Sequence, residues 1–236
     1  MKALKILSII ALSLLSNLVV GQDTIYVYQK VGGILKIPTN NVDSIIFYDT
    51  TSIAVDTTIS TTSQVRLENG ETPLDIYQSG VPIDSIIGKT YQGGLIAYLD
   101  TLDGTGLIAA PTDQGTSKWG CYGTLISGAD GTAIGTGSQN TADILAGCSE
   151  TNIAAYLCDT LTLGGYSDWF LPSKDELNKL YENIGQGNVG GFADYSYWSS
   201  TGVGYYNAWI QDFSNGNQNY SNKGFNYYSV RAVRAF

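Results

Sequence analysis

Six carboxylates in the second half of the chain, Asp168, Asp175, Glu176, Glu182, Asp194 and Asp212, are the side chains that could do chemistry unaided. Two of them, suitably spaced, would suffice for glycoside hydrolysis, which needs no imidazole. That condition matters because the 236 residues contain no His. A Ser-His-Asp triad, a Cys-His dyad and a His-ligated zinc site are therefore excluded. Asp175 and Glu176 have a structural reason for their position. Ser173-Lys174-Asp175-Glu176 is a capping box, and acids favour a helix N-terminus. Asp168, inside Gly165-Tyr166-Ser167-Asp168-Trp169, reads equally as a buried structural carboxylate pairing Arg231 or Arg234. The expected catalytic set is empty, with a carboxylate-based carbohydrate hydrolase or cell-wall enzyme as the alternative.

The remaining reactive types reduce in the same way. Cys121, Cys148 and Cys158 are an odd number, so at least one is unpaired within the chain. Ala154, Leu157, Cys158 and Leu161 fall at helical spacing, which makes Cys158 a buried small hydrophobe. Cys121 and Cys148 lie in Gly-rich stretches and could bridge. Asp100, Asp103 and Gly104 do not meet the EF-hand spacing, and the calcium-lectin signatures Glu-Pro-Asn and Trp-Asn-Asp do not occur. Gly128 to Gly137 lacks the strand before it and the Gly-Lys-Ser/Thr ending that a phosphate loop needs. No metal and no cofactor is expected.

Charge excludes another class. Lys and Arg number 12 against 21 Asp and Glu, a formal charge of −9 that is unsuited to neutralising phosphates. No nucleic-acid partner is expected. The last 42 residues, Tyr195 to Phe236, depart from this balance with one acid, Asp212, and three bases, Lys223, Arg231 and Arg234. They also hold seven Tyr and six Asn. Tyr offers large, rigid contact area, and Asn, Ser and Gly offer adaptable hydrogen bonding, as in an antibody paratope. Trp198 and Trp209 are expected to be buried. The Asn215 to Asn226 run, in contrast, is costly to order without a use.

Six ordered motifs carry a resemblance. They are Tyr91-Gln92-Gly93-Gly94, Ala109 to Asp113, Trp119-Gly120-Cys121, Gly165 to Ser173, Tyr197 to Ser200 and Val230 to Arg234. Over about residues 88 to 236 the chain resembles the secreted bacterial domain at the C-terminus of the Legionella collagen-like adhesin. That resemblance implies an α+β, C-type-lectin-like fold. The tail also resembles the variable region of retroelement-diversified proteins, in which Asn codons are mutagenised on the ligand-binding face. Carried over, this makes Tyr205, Tyr206, Asn207, Asn215, Asn217, Asn219, Tyr220, Asn222, Asn226 and Tyr227 the candidate ligand-binding residues. Trp198, Trp209, Arg231 and Arg234 become scaffold. Formylglycine-generating enzymes share only the fold, and the Cys pair they need has no counterpart after Cys158.

The elements that must position this surface follow from the pattern. One helix is predicted over about Thr141–Leu161, broken near Gly147-Cys148, and a second starts at Ser173 with Leu177, Leu180, Tyr181 and Ile184 on its apolar face. Strands are predicted at Tyr91–Tyr98, Gly106–Ala110, Tyr197–Ser200, Ala208–Asp212 and Tyr228–Ala235. Two helices early and hairpins late, without βαβ rhythm, mean α+β. Ahead of them residues 1–21 read as a secretory leader, with Lys2 and Lys5 before an apolar run ending at Gly21. Residues 22–50 read as a small β module with strands at Thr24–Tyr28, Ile34–Ile37 and Ser44–Tyr48. Residues 51–75 read as a Thr/Ser-rich linker, and 76–236 as the C-type-lectin-like domain. No further apolar stretch approaches membrane-spanning length. The expected product is a secreted or surface-displayed adhesion protein that binds a protein or glycan ligand.

Overall fold

The computed structural model describes residues 62–185 and 189–236 in full and, ahead of them, the backbone of five strands. The chain forms two compact units, Met1–Thr62 and Ser63–Phe236. In the first, β1 (Ile6–Ile9) pairs in parallel with β5 (Ser44–Phe47), and β2 (Leu15–Val20), β3 (Thr24–Gln29) and β4 (Gly33–Pro38) form an antiparallel meander. The three predicted module strands are thus present. β1 and β2 lie within the segment read as leader, where Ile and Val carry high strand propensity. The expected cleavage point at Gly21–Asp23 and residues 51–61 of the linker lie outside the described residues.

The second unit starts earlier than the composition suggests. Helix α1 (Ser63–Glu68) falls inside the stretch read as linker, and α2 (Pro73–Gln78) begins there. The signal for α2 is local: Thr72 and Asp75 form a capping box, with Pro73 at the first helical position. Leu67 and Ile76 are buried with Ile86 and Ile96 in a small cluster, which ties both helices to the unit. Thr and Ser content alone hid these anchors.

Two sheets follow. The first orders β14 (Val233–Ala235), β8 (Gly106–Ala109), β7 (Gly94–Leu99) and β6 (Thr90–Tyr91), all antiparallel. Its β14–β8 pairing brings the C-terminus back beside Gly106–Ala109, with Val233 opposite Ala109. The second orders β12 (Gln218–Asn222), β11 (Asn207–Asp212), β10 (Ser196–Val203), β13 (Tyr228–Val230) and β9 (Gly115–Ser117). The predicted Tyr228–Ala235 strand is therefore two strands in different sheets, divided at Arg231-Ala232. β12 was not expected, since Gln-Asn-Tyr-Ser-Asn has no apolar alternation. It exists because β11 offers a complete antiparallel register from Asn207↔Asn222 to Gln211↔Gln218.

Helices α3 (Gly137–Gly147), α4 (Ala154–Asp159) and α5 (Lys174–Leu180) pack on these sheets. The predicted break near Gly147-Cys148 is real. Cys148 adopts extended backbone and bonds to Cys121 across 27 residues. The α5 capping box forms as read, and the helix continues as one wider turn over Tyr181–Gly185. The main core gathers Trp119, Trp169, Trp198 and Cys158 from all three layers. The result is the α+β, C-type-lectin-like domain with late hairpins that the motifs implied.

Candidate ligand-binding surface

The tail's three cations are all inside. Arg231, Lys223 and Arg234 are 1 %, 1 % and 6 % exposed. Arg231 donates from Nε to Asp113 Oδ1 at 2.7 Å and from its terminal nitrogens to the carbonyls of Ala110, Gly190 and Gly191. Arg234 donates to both Asp168 oxygens, at 2.8 and 2.9 Å, and lies 3.8 Å from the Tyr166 ring centre. The Arg234 hydrogen bonds hold the Asp168 carboxyl below its ordinary range. Asp168 pairs with Arg234 as one of its two sequence readings had it, but from the surface and not from a buried position, with its side chain 59 % exposed, and Arg231 and Arg234 are scaffold.

Lys223 is unusual because no carboxylate meets it. Its Nζ donates to Gly204 O at 2.9 Å and sits 4.1 Å from the centre of the buried Trp119 ring. Burial pulls its pKa down from 10.5 to about 8. Lys223 also joins three loops through its backbone. Its N–H donates to Tyr206 O, and its carbonyl accepts from Gly120 N–H. Gly123 N–H in turn donates to Tyr205 O.

Those three loops carry a chain of exposed rings. Tyr205 and Tyr206 form the β10–β11 turn and are 52 % and 53 % exposed. Tyr122, 44 % exposed, follows the disulfide-bonded Cys121, whose φ of 45° turns the chain outward. Phe225, 71 % exposed, tops the turn after β12, where Asn222 Oδ1 accepts from the N–H groups of Gly224 and Phe225. Tyr122 is 5.1 Å from both Tyr206 and Phe225, and Tyr205 is 6.2 Å from Tyr206. The rings tilt against one another by 44–55°. Contiguous exposed aromatics of this kind mark interaction sites.

The ten sequence candidates do not form one patch. Tyr205 and Tyr206 belong to the ring chain. Tyr227 is exposed nearby with Lys118 Nζ 5.6 Å from its ring. Asn207, Tyr220 and Asn222 share the β11–β12 face that carries Trp209, whereas Asn219 alternates to the opposite face. Asn215 and Asn217 lie at the far β11–β12 turn, where Asn215 bonds to Asp212 and to Asn217 N–H. Asn226 donates to Ser221 Oγ at 2.7 Å. Several Asn therefore build their own turns.

Trp198 is buried as expected, but Trp209 is only half-buried. It lies against Tyr220 at 6.0 Å and under Lys174 Nζ at 5.1 Å. The reason is register: Trp209 faces away from the core that Ala208 and Ile210 face. Tyr122 and Phe225 were missed by sequence. Phe225 follows the turn pair Asn222–Gly224, a signal that was available, while Tyr122 is brought in only by the fold.

Among the described residues, Asp168, Glu176 and Asp212 are each held by other groups. Asp168 and Glu176 line one cavity of about 230 Å³ together with Leu107, Ile134 and Phe170. Glu176 is fully buried, and its oxygens accept from Gly135 N–H at 2.8 Å and Ser173 N–H at 2.7 Å, with Gly137 N–H also contributing. Burial raises its pKa against those bonds. Asp212 bonds to Ser214 and Asn215 in its own turn. Asp100 and Asp103 likewise accept from Leu102 and Thr105. Among the described residues no group of three or more Cys, Asp or Glu is placed to hold a metal. Cys158 is buried and its thiol pKa is pushed well up, so it is no nucleophile.

Residues 121–234 match the family model described as the Lcl C-terminal domain. The match runs from the disulfide through the Asp168-binding Arg234, and it bears out the resemblance to the Legionella collagen-like protein's C-terminal domain. That domain is of a binding, adhesin-like type. A search of curated proteins finds no match. Among the described residues no helix is long and apolar enough to cross a membrane.

Proposed function

We propose that this is a secreted or surface-displayed, non-enzymatic binding protein whose C-type-lectin-like domain recognises its ligand through the Tyr-rich end of the second sheet. The observation that carries this reading is the chain of exposed rings, Tyr205, Tyr206, Tyr122 and Phe225, held by three loops that converge on one buried lysine. Large rings on rigid turns bind at low entropic cost, because only two side-chain torsions are fixed per residue. A disulfide under the Tyr122 loop fits an oxidising compartment and supports export. The exposed turn positions also suit sequence diversification, since their side chains carry little of the core.

A screen of the full chain against a displayed-peptide library and a glycan array tests the reading. Hits should be lost on Tyr122→Ala, Tyr206→Ala and Phe225→Ala together, with the thermal transition retained. Hits that survive the triple variant would remove the face as the binding site. Diversification is tested separately in the neighbouring DNA. A near-copy of the tail-coding segment, differing at adenines beside a reverse transcriptase gene, is the expected finding, and its absence argues against that part.

A further inference from the structure

The partner's chemistry can be narrowed from what the face does and does not present. The tail's surplus of positive charge is not on the surface, since Lys223, Arg231 and Arg234 are all buried. At the rim of the ring chain the contacts among the described residues bring one group of each sign. Glu150 accepts from Cys121 N–H at 3.0 Å, and Lys118 lies over Tyr227. The face is therefore close to neutral on a chain of formal charge −9. An acidic polysaccharide or a nucleic acid would meet no cationic cluster here and would be repelled by the rest of the molecule.

A neutral glycan is disfavoured for a different reason. Reading sugar hydroxyls takes free amides or carboxylates, and the Asn222 and Asn226 amides beside the rings are partly committed to local bonds. Asn222 caps the Gly224–Phe225 turn and Asn226 holds Ser221. The rings also tilt by 44–55°, so they give successive pyranoses no common plane on which to stack. What remains outward is ring surface with phenolic hydroxyls at its margin. Ring surface of this kind is matched by uncharged apolar side chains, and clustered aromatics typify the anchor points of protein interfaces.

We infer that the occupant of the Tyr205–Tyr206–Tyr122–Phe225 face is a protein segment offering uncharged apolar side chains. The inference rests on reading that face as the binding site. Its test uses the immobilised full chain and three defined probes: a random-peptide phage library, heparin, and cellohexaose. Panning should enrich peptides rich in uncharged apolar residues. Their Kd should change less than about threefold between 0.05 and 0.5 M NaCl, because little charge is neutralised. It should weaken at least about tenfold on Tyr206→Ser with Phe225→Ser. Circular dichroism of that variant checks its fold, and Tyr206→Phe should retain most of the affinity.

The alternatives separate cleanly. Heparin or cellohexaose binding that the double variant abolishes would keep the face as a binding site but assign it to glycans, overturning this inference alone. Enriched peptides that are acidic and released by salt would also overturn it. If no probe binds, or if peptides bind the double variant as well as the parent chain, the inference and the proposed function fall together.

Discussion

The last 42 residues contain two regions built to opposite rules. Val230–Arg234 packs charge inward: Arg231 and Arg234 are buried, and each meets a carboxylate and a ring. Tyr205–Tyr206 and Asn222–Tyr227 turn aromatics outward, with Tyr206, Phe225 and Tyr227 all exposed. Ordinary burial preferences would reverse this arrangement. Each pair buries its arginine while its carboxylate keeps contact with water, at 27 % exposure for Asp113 and 59 % for Asp168, so the pairs fix one arrangement at a desolvation cost borne mainly by the cation. Here they lock the chain between two sheets, which frees the turns to carry rings that the core does not need. Lys223 stands between the two regions, charged like the first and placed beneath the second.

Variants should separate the regions by size of effect. Arg231→Met leaves Asp113 without its cation and three carbonyls without a donor, so a loss of about 3–5 kcal/mol in urea unfolding is expected. A loss below 1 kcal/mol would make the inner region ornamental. Next in size is the disulfide. Cys121→Ser with Cys148→Ser opens a loop of 27 residues and should cost about 3.5 kcal/mol from chain entropy. It should also loosen Tyr122, visible as lost protection from hydrogen exchange at Gly123.

Lys223 gives a pH signature. Its pKa is about 8 in the fold against 10.5 in the unfolded chain, so between these values the unfolded state binds more protons and stability rises with pH. The full rise is about 3 kcal/mol. Tyr197 acts oppositely, because burial raises its pKa from 10 to about 12, and stability falls as pH passes through that range. Stability should therefore climb from pH 8 to a maximum near 10 and then fall. Lys223→Met should remove the climb, and a climb of equal size in that variant would contradict the assignment. The smallest effects belong to the outer region. Tyr206→Ala, Tyr220→Ala and Tyr227→Ala should each change stability by no more than about 0.5 kcal/mol.

Local signals were legible where one residue answers to its neighbours. The Ser173–Glu176 box, the break at Gly147-Cys148 and the burial of Cys158 could all be read from a few positions. What escaped depends on distant partners. β12 is a strand because β11 pairs with it, not because Gln-Asn-Tyr-Ser-Asn favours one. Trp209 is half-buried because of its register, and Tyr122 joins Tyr206 and Phe225 only through the loop that the disulfide holds. The capping box at Thr72 was visible in sequence but was masked by the Thr/Ser richness around it. The tail's positive charge was counted correctly and Arg231 and Arg234 were read as scaffold, but Lys223 was left unplaced, since composition cannot say which side of a strand faces water.

The central claim, that the tail divides into a buried charged frame and a dispensable aromatic face, meets its most direct test in urea unfolding of Tyr206→Ala/Tyr220→Ala/Tyr227→Ala beside the parent chain. The account predicts a cooperative transition with the same slope and a total loss of no more than about 1.5 kcal/mol, the sum of three surface changes. A lost transition, or a loss of several kcal/mol, would place those tyrosines in the core and contradict the division.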